Sequence, residues 1–345
     1  MAESAQLQTR EQIEQAAERF EQELIRFTHH IGQAGIPNLH DGIRYALGID
    51  QPDPCTRGKR IRPVLCLLSA ETLGAPVERA MPFALAIELM HNFALVHDDI
   101  QDGDITRRGR ESAWSRFGLP HAVNIGDYLL VATMTALTDW DAGDLRTDCR
   151  LQLVQLLSRA LDHTHIGQAL DMNARTRRDI LVHDYLHIVR EKTGFYLAAP
   201  IQGGALIAGA DGATLQKLAE TAFYLGPMFQ IIDDIIDLTD GKGREDVGSD
   251  IREGKRSYLV AHTTQHCDPS ERDRMFNILD KSREQTTQAD IQDILELFRK
   301  HGAIEAGRAF CAQLHEQART TLRTLPDPLA DLLDRIFELL LQRKH

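Results

Sequence analysis

The stretch FQIIDDIIDLT at residues 229–239 constrains this chain more than any other. It sets Asp233, Asp234 and Asp237 among Ile231, Ile232, Ile235, Ile236 and Leu238. Burying several carboxylates in such a run without compensation is very costly. The run therefore calls for compensation of its acids.

The same internal spacing occurs once before, in ELMHNFALVHDDIQDGDITRRGR at 88–110. Leu89, Phe93 and Val96 recur there at spacings of four and three, one apolar face of a helix. Asp98, Asp99 and Asp102 follow at its end. Residues four apart share a helix face, so Asp98 and Asp102 point the same way, and like charges there repel. Mg2+ relieves that repulsion, because it takes oxygen ligands and binds one or two carboxylates together with substrate phosphates. One such motif also suits a solvated helix end. Two copies, each after an apolar helix, predict two metal-binding walls facing one cleft.

Helical periodicity runs through the rest of the chain. Ile13, Ala17, Phe20, Leu24, Phe27 and Ile31 form a regular stripe, the mark of a long amphipathic helix, while residues 1–8 are expected to be mobile. A short helix is predicted near 41–48, another from Arg60 to Leu73 with Pro63 in its first turn, and a central helix over 77–101. Further helices are predicted over 121–138, 146–175, 180–193 and 195–209. A long run over 212–239 should be kinked by Pro227, and three or four more helices should reach residue 342. No period-2 strand pattern is found, so the fold is read as all-α. Without a Gly-, Ser- or Pro-rich linker, residues 9–345 read as one helical domain.

Composition excludes several function classes. The net charge of −12 argues against nucleic acid, which wants a basic stripe. No apolar run is read as approaching the ~18 residues of a membrane span. The polar, acidic opening MAESAQLQTREQIEQ does not fit a signal peptide. Cys55, Cys66, Cys149, Cys267 and Cys311 are scattered without CxxC spacing, which suits a reducing, cytoplasmic setting rather than a disulfide framework or a zinc site.

Taken with GKRIRP at 58–63, EKTG at 191–194 and GSDIREGKRS at 248–257, the two aspartate motifs closely resemble the trans-isoprenyl diphosphate synthases. Order and spacing match from about residue 40 to the C-terminus. The resemblance implies a single bundle of long helices around a deep central cleft. It also implies a Mg2+-dependent prenyltransferase, in which an allylic diphosphate loses its diphosphate and the cation is attacked by isopentenyl diphosphate. Asp98, Asp99, Asp102, Asp233, Asp234 and Asp237 would hold the metal. The resemblance implies three Mg2+ per active site, whereas the residues alone support two sites or more. Arg107, Lys192, Thr193, Gln230 and Lys255 would bind the allylic diphosphate, with Lys192 and Thr193 at the reacting centre. Lys59, Arg62, His91 and Arg108 match the ligands of isopentenyl diphosphate; His97 is read as structural. A homodimer is expected.

Product length is read from the central helix. Phe93 and Ala94 stand five and four residues before Asp98. A single aromatic at the fifth position with the short motif resembles geranylgeranyl (C20) synthases, with a farnesyl (C15) or a longer-chain synthase as the alternative. One departure from the family pattern stands out: where many members carry a Lys before the VGSD-like segment, this chain has Glu245, with Arg244 and Lys242 nearby. A class I terpene cyclase and a non-catalytic subunit are the competing readings. The intact second DDIID and GKRIR speak against the first, and the uneroded aspartates against the second.

Overall fold

The computed structural model describes residues 2–32, 34–49, 51, 54–140, 145–239 and 248–342. Helices account for nearly all regular structure among them. One correction to the strand-free expectation is small: Thr106–Arg107 pairs antiparallel with Arg110–Glu111. Arg108 and Gly109 turn the chain between them at φ 54° and 72°, the positive-φ pair of a tight hairpin turn. Strands of two residues are too short to leave an alternating pattern. The first helix, Ala2–Ile31, begins inside the segment expected to be mobile.

By contact density the chain forms two compact units. The first comprises Met1–Arg159, Ala199–Leu218 and Asp327–Leu332; the second comprises Ala160–Ala198, Ala219–Pro326 and Leu333–His345.

The first unit is built on the helix Val77–Asp102, in which every residue from Ala80 to Met90 is buried. It is a helix apolar nearly all round, the pattern of a core element. This corrects the expectation that no run reaches spanning length. The helix is long and apolar enough by composition, yet 78% of its apolar window is buried inside the molecule. Its main neighbours are the helices Leu119–Thr138 and Ile61–Thr72. Gly126 allows the first of these to come close: a Cβ there would stand 2.4 Å from the His97 ring. His97 thus packs between helices, as the sequence reading has it. Glu88, the one acid in the fully buried stretch, accepts from Arg60 Nη1 at 2.7 Å.

In the second unit the helix Ala222–Thr239 packs on Ala303–Leu322. The single run expected over 212–239 is two helices, Gly212–Glu220 and Ala222–Thr239, so the break falls at Thr221 rather than at Pro227. Proline has no N–H to give to the preceding turn. The Thr221 carbonyl, accepting from the amides of Tyr224 and Leu225, starts the new helix far enough upstream for Pro227 to lie inside it. The segments expected over 180–193 and 195–209 are joined without a gap. Val182–Val189 leads through a π-helical turn, Arg190–Gly194, into Phe195–Ile207. Such turns are rare and recur at functional sites.

Candidate active site

In the first unit the acidic end of the Val77–Asp102 helix is closed by Gly103, at φ 69°. The chain then turns back through the hairpin and lays Arg107 on Asp99. Arg107 Nε donates to Asp99 Oδ1 at 2.7 Å, Nη2 contacts the same oxygen, and Nη2 also reaches Asp104 Oδ2 at 3.3 Å. Asp99 is buried, while Asp98 and Asp102 are half-buried. Charge-assisted contacts of this kind are the strong ones. The three acids of the motif are therefore not equivalent: one carries the arginine.

A cluster of cationic side chains lies in the same unit. Gly58, at φ 92°, leaves the space that the Arg108 guanidinium fills, since a Cβ there would stand 2.5 Å from its Cζ. Arg108 Nη1 donates to the Arg57 carbonyl at 2.8 Å. Lys59 is exposed, and Arg62 Nη1 lies 3.4 Å from His91 Nε2. Burial, then the charges of Arg62, Arg108, Arg107 and Arg60, push the His91 imidazolium well below the ordinary histidine range, so the ring is neutral near pH 7. Burial likewise brings Arg108 down to about 10. Arg60, between Lys59 and Arg62, turns the other way and is held by Glu21, Glu88 and the Leu47 carbonyl. The GKRIR block thus splits into a structural arginine, Arg60, and Arg62 at His91, with Lys59 exposed beside them in the sequence.

In the second unit the centre is Asp234. Its carboxylate accepts from Lys255 Nζ at 2.7 Å, Tyr185 Oη at 2.8 Å, Gln230 Nε2 at 3.1 Å and the Tyr258 amide at 3.3 Å. Lys255 also donates to Asp250 at 2.8 Å. Burial works against the Lys255 charge, but Asp234, Asp250 and Asp171 outweigh it and hold its pKa well above the ordinary lysine value. Asp237 is fully buried and accepts from Ser249 Oγ at 2.6 Å and the Asp250 amide at 3.1 Å. Asp233 is half-buried on the same helix. Among the described residues, no group of three acids, histidines or cysteines converges tightly enough to hold a metal by itself.

Lys192 and Thr193 sit in the π-helical turn, with Thr193 buried. Two glycines let neighbouring backbones grip that turn. A Cβ at Gly167 would stand 2.1 Å from the Lys192 nitrogen, and one at Gly226 would stand 2.6 Å from the Gly194 Cα. Lys192 Nζ donates to Asp171 Oδ2 at 2.7 Å.

Asp171, Tyr185 and Asp250 escaped the sequence reading as functional residues. A glycine inside a long helix costs about 1 kcal/mol against alanine. Gly167, one turn before Asp171 in the helix Thr147–Ala174, was the available signal of a close approach. Lys242, Arg244 and Glu245 lie outside the described residues. The site residues expected from sequence divide between the units: Asp98, Asp99, Asp102, Lys59, Arg62, His91, Arg107 and Arg108 in the first, the rest, apart from the chain-length residues Phe93 and Ala94, in the second.

Residues 54–298 match the sequence model of the polyprenyl synthetase family, well over half of the chain. A geranylgeranyl pyrophosphate synthase of Geoglobus acetivorans is 34% identical over 291 residues, covering 84% of this chain and 88% of that protein. A (2E,6E)-farnesyl diphosphate synthase of Mycobacterium tuberculosis is 31% identical over 314 residues, 86% of this chain and 84% of that one. The crystal structure of geranylgeranyl pyrophosphate synthetase from Pyrococcus horikoshii Ot3 superposes with a TM-score of 0.83 at 27% identity, covering 97% of this chain and 98% of the other. The chain belongs to the polyprenyl synthetase family, and is a prenyltransferase with the all-α fold of its relatives.

Proposed function

We propose that this prenyltransferase condenses isopentenyl diphosphate head-to-tail with an allylic diphosphate (dimethylallyl, geranyl or farnesyl) and gives mainly the C20 product, geranylgeranyl diphosphate. The observation that carries the reading is the presence of two kinds of anion site. Around His91 the Arg62 and Arg108 side chains make a cationic cluster suited to a diphosphate without metal, and we add the exposed Lys59 to it from the GKRIR block. Around Lys192, Gln230 and Lys255, and at the ends of both aspartate motifs, carboxylates accompany the cations, which suits a diphosphate bound through metal. Neutral His91 adds a hydrogen-bonding group to the first cluster without adding charge.

Mg2+ fits the donor set. Asp98 and Asp102, one helical turn apart and half-buried, offer the hard oxygen ligands it takes, and its binding by one or two carboxylates plus phosphates needs no closed protein cage. Of the six acids that the resemblance assigns to the metal, we assign the half-buried Asp98, Asp102 and Asp233 to it directly, and give the buried Asp99, Asp234 and Asp237 the task of holding Arg107, Lys255 and the Ser249–Asp250 turn. Bound Mg2+ supplies stabilisation of the charge that develops on the leaving diphosphate. Lys192, Gln230 and Lys255 orient that diphosphate, and Thr193, buried beside Lys192, borders the carbon that is ionised. The cluster of Lys59, Arg62, His91 and Arg108 holds the nucleophilic substrate by its own diphosphate.

The C20 assignment is supported by the naming of the Geoglobus relative and by Phe93, buried on the Asp98 helix with its ring 4.7 Å from that of His97. A homodimer is supported by Leu119, Val123 and Val131, exposed apolar side chains on the helix Leu119–Thr138. A cytoplasmic setting is supported by the free thiols of Cys66, Cys149, Cys267 and Cys311.

The test is incubation of the pure protein with Mg2+, isopentenyl diphosphate and each allylic primer. A longer linear prenyl diphosphate is expected. A hydrocarbon would identify a cyclase, and absence of turnover a non-catalytic subunit. Arg62→Ala should raise KM for isopentenyl diphosphate and Arg107→Ala should act on the allylic substrate; the reverse would exchange the two sites.

A further inference from the structure

Three residues of the helix Thr147–Ala174, each one turn from the next along one face, meet the π-helical turn in succession. His163 Nδ1 lies 2.6 Å from Glu191 Oε2, and its ring stacks on Phe195 with centroids 3.7 Å apart. Gly167 meets the Lys192 backbone. Asp171 takes the Lys192 ammonium. The first two contacts fix where the turn sits; the third acts on the tip of a side chain four carbons long.

We propose that Asp171 is a positioning residue for prenyl transfer: it holds the Lys192 ammonium at one point before the allylic diphosphate arrives. The inference rests on the reading of Lys192 as a ligand of that diphosphate. A lysine side chain loses much rotamer freedom when it is fixed, and a ligand that must fix it binds correspondingly more weakly. With its side chain only 9% exposed, Asp171 turns its charge to the cations beside it, Lys192 first, then Lys255 and Arg175. Burial alone would favour its neutral acid, yet Lys192 and Lys255 outweigh burial and keep it ionised. The backbone of the turn is gripped independently, by Gly167 on one side and by the approach of Gly226 to Gly194 on another. Loss of the carboxylate therefore loosens the ammonium and not the turn.

The experiment compares wild type, Asp171→Asn, Lys192→Met and the double variant. It reads steady-state kinetics with geranyl diphosphate, isopentenyl diphosphate and Mg2+, and calorimetric binding of inorganic diphosphate with Mg2+. Asp171→Asn should raise KM for geranyl diphosphate about tenfold, the effect of one fixed side chain set free, and leave KM for isopentenyl diphosphate unchanged. In the Lys192→Met background the same change should add little, because residues acting through one contact are not additive. Asp171→Glu, which keeps the charge, should recover part of the loss and covers the case in which the amide variant folds poorly. Equal rises in both KM values, or full additivity in the double variant, would overturn the proposal. A wild type without turnover would instead overturn the proposed function, and the diphosphate-binding comparison would still decide the Asp171–Lys192 coupling.

Discussion

Lys255 and Asp234 are joined by a 2.7 Å hydrogen bond, and the same carboxylate is claimed by Tyr185, Gln230 and the Tyr258 amide. A carboxylate has roughly four lone-pair sites, and this one meets four protein donors. It acts as the hub that orients a lysine and a glutamine. The second aspartate motif thus divides its labour by position.

That division predicts opposite behaviour for neighbouring aspartates. Asp98→Ala and Asp233→Ala should lower kcat by on the order of 10²–10³ or more with little change in Tm, since they remove charge stabilisation and not packing. Asp237→Ala should cost about 1–3 kcal/mol of stability, because it leaves the Ser249 hydroxyl and the Asp250 amide buried without their acceptor. Activity assays paired with thermal unfolding check both. Normal rates in the first two variants, or in excess EDTA, would refute the metal assignment.

His91 predicts a pH dependence with a definite sign. Its folded-state value lies well below the ordinary one, so between about pH 6.5 and that lower value the unfolded chain binds the proton and the folded chain does not. Stability from this group is fully present above about pH 6.5 and falls as pH drops below it. Urea unfolding from pH 7.5 to 5 should show a steeper loss in wild type than in His91→Gln. Equal slopes would place the ring in water.

Gly167→Ala should damage the site more than any alanine in an exposed helix would. The added methyl meets backbone, 2.1 Å from the Lys192 nitrogen, and backbone cannot swing aside as a side-chain tip can. Turnover should fall at least tenfold (about 1.4 kcal/mol in transition-state stabilisation) while the helical circular dichroism is kept. Wild-type kinetics in this variant would show that the π-helical turn tolerates displacement.

Product length should respond to the central helix. Phe93→Ala should lengthen the main product by at least one isoprene unit and Ala94→Phe should shorten it, because a phenyl ring fills the space of several isoprenoid carbons. Chromatography of the dephosphorylated alcohols reads the result. Unchanged distributions in both would place the floor of the chain elsewhere.

Val131, 62% exposed, predicts the assembly. Val131→Glu should shift sedimentation at micromolar concentration from dimer to monomer. A wild type that already sediments as a monomer would refute the dimer.

The sequence by itself determined the helical class, the family and the alignment of Asp98 with Asp102, because periodicity, motif order and i, i+4 spacing are local properties of the chain. It also marked Lys59, Arg62 and His91 through the GKRIR block and its place in the family pattern. Only the tertiary structure decided which donors Asp99, Asp234 and Asp237 meet. Asp99 meets Arg107 eight residues on, Asp237 meets Ser249 twelve residues on, and Asp234 meets Lys255 twenty-one residues on. Equal spacing in DDxxD made these acids look alike, and packing made them different, since a buried carboxylate takes whichever donors the fold brings within about 3 Å. Asp171 shows the same limit: nothing in GQALD names Lys192, twenty-one residues away, and only the close approach that Gly167 permits brings the pair together.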